Sequence, residues 1–337
     1  MSARQTKIFV MIIILLSCFC EKNPVKPNNG TVNKNIVKLK DSHDKFYGFV
    51  AVWRNDLIFA TPPVQKLQIN SQFSVIEDSL FIIGDFWLFI EANESGSKLL
   101  LIKSNYYSVS AGALYEFDIG TGQTKLLRDR ILNVSSALYW HGDDTRIVYY
   151  RYGNPIGTEA GYYLFNSVTQ TDSLILEYIS PLEHISPFEP YEPVNGFDLS
   201  PDNSKLLIPA VQAIGSPKIV EYDLQTRVRD TLDVSFDISF TRICLWLRYN
   251  NDGSQILYSN FPRGSYIHPT NDGSEVGIID RTTLKKRVLD VNTNPTYRSV
   301  QIALNWSPDY RHIVYGSSPL KGGARGAYHL YILQNVN

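Results

Sequence analysis

Cysteine is scarce. Cys18, Cys20 and Cys244 are the only three in 337 residues, and two of them sit together near the start. One thiol remains in the body of the chain, so no internal disulfide can hold the fold. Cys244 reads as a small buried hydrophobe. An excess of charge of one sign is also missing. Lys and Arg number 32 against 33 Asp and Glu, a formal net charge of −1, and nothing offers the basic surface that a nucleic acid requires. Long apolar runs are lacking too. Ile8 to Leu16 spans nine residues, about half of the roughly 20 that a membrane-crossing helix needs. Between the strand-like segments there is no helical pattern of about 10–15 residues, which argues against a parallel α/β sheet.

The signatures of chemistry are equally thin. The chain has no Gly-x-Ser-x-Gly elbow of the kind that exposes a serine nucleophile. It has no His-Glu-x-x-His and no Cys-x-x-Cys, so zinc lacks its usual spacing. Gly322-Gly323-Ala324-Arg325-Gly326 is not followed by the Gly-Lys-Ser/Thr of a phosphate loop and reads as a hairpin loop. Asn250 to Ser254 and Asn271 to Ser274 lack the spaced carboxylates of a calcium loop and read as turns. The six histidines are scattered. The expectation is no catalytic residue, no metal and no cofactor.

What is present begins with the first residues. Arg4 and Lys7 precede the short apolar run, and Leu15-Leu16-Ser17-Cys18 follows it. A basic start, a short apolar core and a small residue before the cut mark a secretory signal. The string resembles the bacterial lipobox, which implies cleavage after Ser17 and acylation of Cys18. Cys20 fits less well, because bulky Phe19 would precede the cut. The alternative is an ordinary signal peptide with a chance cysteine. One acyl chain anchors only marginally, and the resemblance implies a multiply acylated cysteine. Residues 18–34, with Asn23-Pro24-Val25-Lys26-Pro27-Asn28-Asn29-Gly30, carry almost no large apolar residue and read as a flexible tether. The expected organisation is a signal peptide at 1–17, a tether at 18–34 and one β domain at 35–337.

That domain repeats itself. One half of the unit is an apolar strand, a polar turn and a second apolar strand. It is clearest in Phe197 to Ala210 and Leu304 to Ser317, and looser in Leu247 to Ser259, Leu138 to Tyr150 and Leu88 to Ile102. The other half is a strand ending in an acidic or polar turn, then a short charged strand. It recurs at Leu114 to Leu127, Tyr162 to Leu176, Ile219 to Leu232 and Val276 to Leu289. Asp202-Asn203, Asp252-Gly253 and Asp143-Asp144 suit tight hairpins, because Asp, Asn and Gly tolerate left-handed backbone. Lys98, Arg146, Lys205, Gln255 and His312 fall at equivalent positions, 48, 59, 50 and 57 residues apart. Four short strands per unit with variable loops is the content of a propeller blade.

Ser200-Pro201-Asp202 and Ser307-Pro308-Asp309, each leading into an apolar strand, resemble the WD-type repeats of the TolB-like β-propellers. The resemblance covers about 85 to 333. It implies an all-β propeller of four-stranded antiparallel blades, an envelope setting and protein partners. A sixth unit is expected in 46 to 80, around Arg54-Asn55-Asp56, giving six blades, with five or seven as alternatives. The last unit stops at its third strand, Tyr328 to Leu333. Ile36-Val37-Lys38-Leu39 has no partner of its own and is expected to supply the fourth, closing the ring and removing an exposed edge.

In such a meander the first-to-second and third-to-fourth turns share one end of the ring. The second-to-third loops and the blade connections share the other. Here the second set is long, and long loops on a rigid scaffold are where binding usually sits. The expected binding residues are Arg151, Arg263, Tyr266, His268, Lys321 and Arg325, with Phe188, Glu189, Tyr191 and Glu192 from the connection at Tyr178 to Val194. The functional expectation is a non-enzymatic, monomeric envelope lipoprotein, held at a membrane by its lipid anchor, that binds a protein or peptide and no nucleic acid. Glycan binding is an alternative, although the long loops contain no Trp. A propeller lyase or hydrolase, with His, Glu, Arg or Tyr converging on the central channel, is another. Fold alone does not decide among them.

Overall fold

The computed structural model describes residues 36–41, 50–61, 64–81, 87–104, 112–131, 134–151, 161–177, 196–210, 218–234, 242–262, 274–292, 297–321 and 329–336. They form 24 strands in six four-stranded antiparallel sheets. The opening strand β1 (Ile36–Asp41) is set aside for the last blade. Blade 1 is β2 (Val50–Arg54), β3 (Leu57–Thr61), β4 (Val64–Ile69) and β5 (Val75–Phe81). Blade 2 is β6 (Trp87–Ala92), β7 (Lys98–Ser104), β8 (Gly112–Asp118) and β9 (Thr124–Ile131). Blade 3 is β10 (Val134–Trp140), β11 (Asp143–Arg151), β12 (Gly161–Asn166) and β13 (Thr171–Glu177). Blade 4 is β14 (Asp198–Leu199), β15 (Lys205–Ala210), β16 (Lys218–Asp223) and β17 (Arg229–Leu232). Blade 5 is β18 (Arg242–Tyr249), β19 (Gln255–Pro262), β20 (Ser274–Asp280) and β21 (Lys286–Asn292). Blade 6 is β22 (Tyr297–Trp306), β23 (Ile313–Lys321), β24 (His329–Leu333) and then β1.

The closing strand pairs as its sequence suggests. Ile36 lies opposite Leu333 and Val37 opposite Ile332, with a bulge between Lys38 and Lys40. The first strands of successive blades touch one another and ring the axis. Both faces of each sheet are covered by neighbouring blades, which is why the inner strands read as apolar runs rather than as alternating patterns. Leu138, Val148, Tyr150 and Tyr162 of blade 3 pack with Phe197, Leu199, Leu206 and Tyr222 of blade 4. Ala51, Trp53, Ile58 and Leu67 of blade 1 meet Val314, Leu330 and Ile332 of blade 6. Each large apolar side chain buried in this way contributes about 1.5–3 kcal/mol. Tyrosines add a polar lock between blades. Tyr139 donates to Glu116 (3.4 Å), Tyr249 to Glu221 (2.8 Å) and Tyr315 to Asp290 (2.7 Å), in each case reaching back one blade. Burial, reinforced by the neighbouring carboxylate, pushes all three phenols far above their ordinary value.

The turns explain the repeat. Asn93, Ser200, Asn250 and Ser307 end the first strands of their blades. Each side-chain oxygen accepts the backbone N–H five residues on, at 3.0, 2.8, 2.9 and 2.9 Å. Three residues on, Gly96, Asn203, Gly253 and Tyr310 have φ of 71°, 58°, 71° and 57°. Asp202 and Asp309 receive the Ser200 and Ser307 hydroxyls, so Ser-Pro-Asp is a turn that caps itself. Blade 3 departs from expectation. Its left-handed residue is Gly142, with φ of 74°, and Asp143-Asp144 already belong to β11. Third-to-fourth turns follow a second rule. Asp118, Asn166, Asp223 and Asp280 accept the N–H of Thr121, Thr169, Thr226 and Thr283 at 2.7, 2.9, 2.6 and 2.7 Å.

Candidate functional site

Five first strands carry a polar residue at one register position, seven before Lys98, Arg146, Lys205, Gln255 and His312. These are Glu91, Tyr139, Asp198, Arg248 and Asn305, exposed by only 3, 7, 9, 6 and 5 %. Burying such groups costs several kcal/mol unless each finds a partner. The charged ones find one another. Arg248 Nη2 of blade 5 donates to Glu91 Oε2 of blade 2 at 3.0 Å. In a six-membered ring those blades stand opposite, so this contact crosses the axis. Arg54 Nη2 of blade 1 donates to the other Glu91 oxygen at 3.1 Å. Asp198 Oδ1 of blade 4 lies 3.9 Å from Arg248 Nη1, and its Oδ2 accepts the Tyr249 N–H at 2.7 Å. Burial pushes the Asp198 carboxyl up, against the pull of Arg248 and His141. The two guanidiniums and two carboxylates tie four blades together at the axis, near the short-turn end.

The short turns continue this network around the ring. Asn55 Nδ2 donates to Ser95 O at 3.4 Å, Asn93 Nδ2 to Asp144 Oδ2 at 2.7 Å, and Gly142 N to Glu94 Oε1 at 3.0 Å. His141 and Asn203 exchange two bonds of 3.0 Å. Arg248 Nη1 reaches Phe197 O at 2.8 Å, and Trp306 Nε1 reaches Arg248 O at 3.4 Å. Blade 6 meets blade 1 through rings, with Phe73 4.7 Å and Trp53 6.4 Å from His312. A further cluster joins blades 4 and 5. Glu221, 3 % exposed, accepts from Lys205 at 3.1 Å, from Tyr249, and from two nitrogens of Arg281. Burial pushes its carboxyl up, and these bonds outweigh that and leave it below the ordinary value.

Of the residues expected to bind a partner, Arg151 is described. It ends β11 at the long-loop end, opposite Val134 and Gly161, with its guanidinium carbon 5.5 Å from the centre of the Tyr163 ring. Lys321 is the last residue of β23, opposite Tyr297, and its side chain lies outside the described residues. Phe188, Glu189, Tyr191, Glu192, Arg263, Tyr266, His268, Arg325 and Cys18 also lie outside them. The sequence alone does not reveal the axial cluster, because its bonds join residues as far as 157 apart that share no local motif. Among the described residues no group of three or more His, Cys, Asp or Glu is placed to hold a metal ion.

No family model and no curated protein matches the chain. Solved structures do. TolB from Acinetobacter baumannii superposes with a TM-score of 0.54 at 16 % identity over 87 % of this chain. The chain spans 65 % of that protein's length. A gluconolactonase from Xanthomonas campestris gives 0.57 at 11 % identity, over 88 % of this chain and 89 % of that one. An oligogalacturonate lyase from Vibrio parahaemolyticus gives 0.50 at 13 % identity, over 86 % and 79 %. The class is therefore the six-bladed β-propeller. Within it the arrangement is TolB-like, and the likeness is one of fold.

Proposed function

We propose that this protein is a non-enzymatic lipoprotein of the cell envelope, lipidated at Cys18, whose propeller presents its long-loop end to a protein or peptide partner. The connectivity carries this reading. The long segments after β7, β11, β13, β15, β19 and β23 all attach to strand ends at one end of the ring. The opposite end is bonded turn to turn. A rigid base with one variable end is the usual architecture of a recognition scaffold. The axial groups support binding over catalysis, because Glu91, Arg54 and Arg248 are committed to one another. The fold relatives include a TolB protein and two enzymes, so the site has to carry the reading. The test is crosslinking in intact cells with the tagged full chain, followed by pull-down. Alanine at Arg263, Tyr266 and Arg325 together is expected to abolish capture while the melting curve stays in place. Capture equal to wild type rejects the assignment.

A further inference from the structure

The charged side chains that pack between blades are mostly paired. Arg54, Arg128, Arg146, Arg248, Arg281, Lys98, Lys205 and Lys286 each contact a carboxylate. Arg151 differs. It is half-buried, it makes no ion pair among the described residues, and its Nε is buried with no hydrogen-bond partner. What holds it is aromatic. Its guanidinium sits over Tyr163, and Tyr163 stacks on Tyr149 with centroids 5.5 Å apart at 17°. Arg128 of blade 2, which lies over Phe165 two residues further along β12, is neutralised by Asp172. Among the described residues, Arg151 is thus the cation of this column without an ion pair, and it lies at the long-loop end.

The direction follows from the strands. Tyr149, Arg151 and Tyr163 share the blade 3 face that packs on blade 2, and β11 carries Arg151 to the mouth of that cleft. A guanidinium stacked on an aromatic ring has lost much of its freedom before any ligand arrives, so less is lost when its planar fork meets an anion. Its complement is a group with two oxygens in one plane.

We propose that Arg151 is a pre-oriented anchor for a carboxylate of a polypeptide partner, at the long-loop mouth of the cleft between blades 2 and 3. This rests on the proposed use of that end for protein recognition and specifies its chemistry. The probe is a fluorescein-labelled hexapeptide of alternating Glu and Gly, titrated with the full chain at low salt and followed by anisotropy. Arg151→Met is expected to weaken binding at least tenfold. Arg151→Lys, which keeps the charge and loses the fork, is expected to weaken it several-fold. Lys125→Gln, an exposed cation on β9, should change nothing, and a Gln-Gly peptide should not bind. Thermal melting checks the fold, and Arg151→Lys serves as the test if Arg151→Met melts early. Binding within twofold of wild type for both Arg151 variants overturns the proposal. So does an equal loss with Lys125→Gln, which would show diffuse attraction, or stronger competition by inorganic phosphate than by acetate. If the variants lose the peptide but wild type captures no partner in cells, the anchor stands and the proposed function fails. If peptide binding survives in both variants and wild type still captures a partner, the function stands and the anchor fails.

Discussion

Removing the Glu91 carboxylate should be among the costliest single substitutions in this ring. Glu91→Gln leaves the shape nearly unchanged and takes away the charge that Arg54 and Arg248 share. The Glu91 and Arg248 side chains are exposed by 4 % and 7 %, so little solvent can replace the lost partner. Breaking such a pair from one side costs about 3–5 kcal/mol, because the remaining charge stays buried. Two features pull the figure toward the lower end. Arg248 keeps Phe197 O at 2.8 Å and Asp198 at 3.9 Å. Arg54 is 26 % exposed and keeps the carbonyls of Trp53, Ala92 and Asn93. The expected loss is therefore about 3 kcal/mol, or a melting temperature lower by about 5 °C for a domain of about 300 residues. Urea denaturation of the full chain measures it. Glu77→Gln, which breaks the exposed pair with Lys66, is the control and should leave the midpoint in place. A cycle with Arg248→Met should show a coupling of about 2 kcal/mol, since the two groups act as a unit. A loss below about 1 kcal/mol for Glu91→Gln, with no coupling, would refute the claim that the axis is held by charge.

Two further outcomes follow from the ring and its short turns. Deleting residues 35–41 removes the fourth strand of blade 6 and exposes the edge of β24, so the domain should unfold in one cooperative transition near ambient temperature; a melting curve matching wild type would sink the closure. His312 sets a pH dependence. Burial against Trp53 and Phe73 holds its imidazole below the ordinary value, despite nearby Asp309, and its Nδ1 accepts the Asn335 N–H at 3.2 Å. The unfolded chain therefore binds this proton more readily than the folded one. The contribution is present above about pH 6.5 and is lost as pH falls below it. His312→Gln should flatten the decline in unfolding free energy between about pH 7 and about pH 5, and an unchanged slope would place the titration elsewhere.

Much of this architecture was legible because it is local. Ser200-Pro201-Asp202 and Ser307-Pro308-Asp309 encode their own turn, and the same backbone bond recurs where Asn93 and Asn250 replace the serine. The unpartnered strand at Ile36 and the missing strand after Leu333 identified each other by arithmetic. The Asp/Asn-x-x-Thr rule of the outer turns is also present in the string, at Asp118, Asn166, Asp223 and Asp280, although the acidic or polar residue by itself marks only a turn. The axial cluster was hidden for a different reason. Glu91, Asp198 and Arg248 occupy one register position with opposite charges, and each makes sense only beside the others. The available signal was a polar residue inside an otherwise apolar inner strand, repeated in five blades. For the partner-binding residues, sequence supplies the loop lengths and residue types, and for Arg151 the structure adds the ring that orients it.

The place where the closing strand begins has a mechanical meaning. Ile36 faces Leu333 at the short-turn end, and β1 is bonded along one side only, to β24. Tension arriving through the residues ahead of Ile36 would reach the Ile36–Leu333 pair first, then Val37–Ile332, loading the seam one rung at a time rather than all together. Such peeling needs far less force than sliding a strand along its neighbour. The side of the ring where the closing strand begins is thus also its tear line, whereas a load borne by the inner strands is shared across the axis by Glu91 and Arg248.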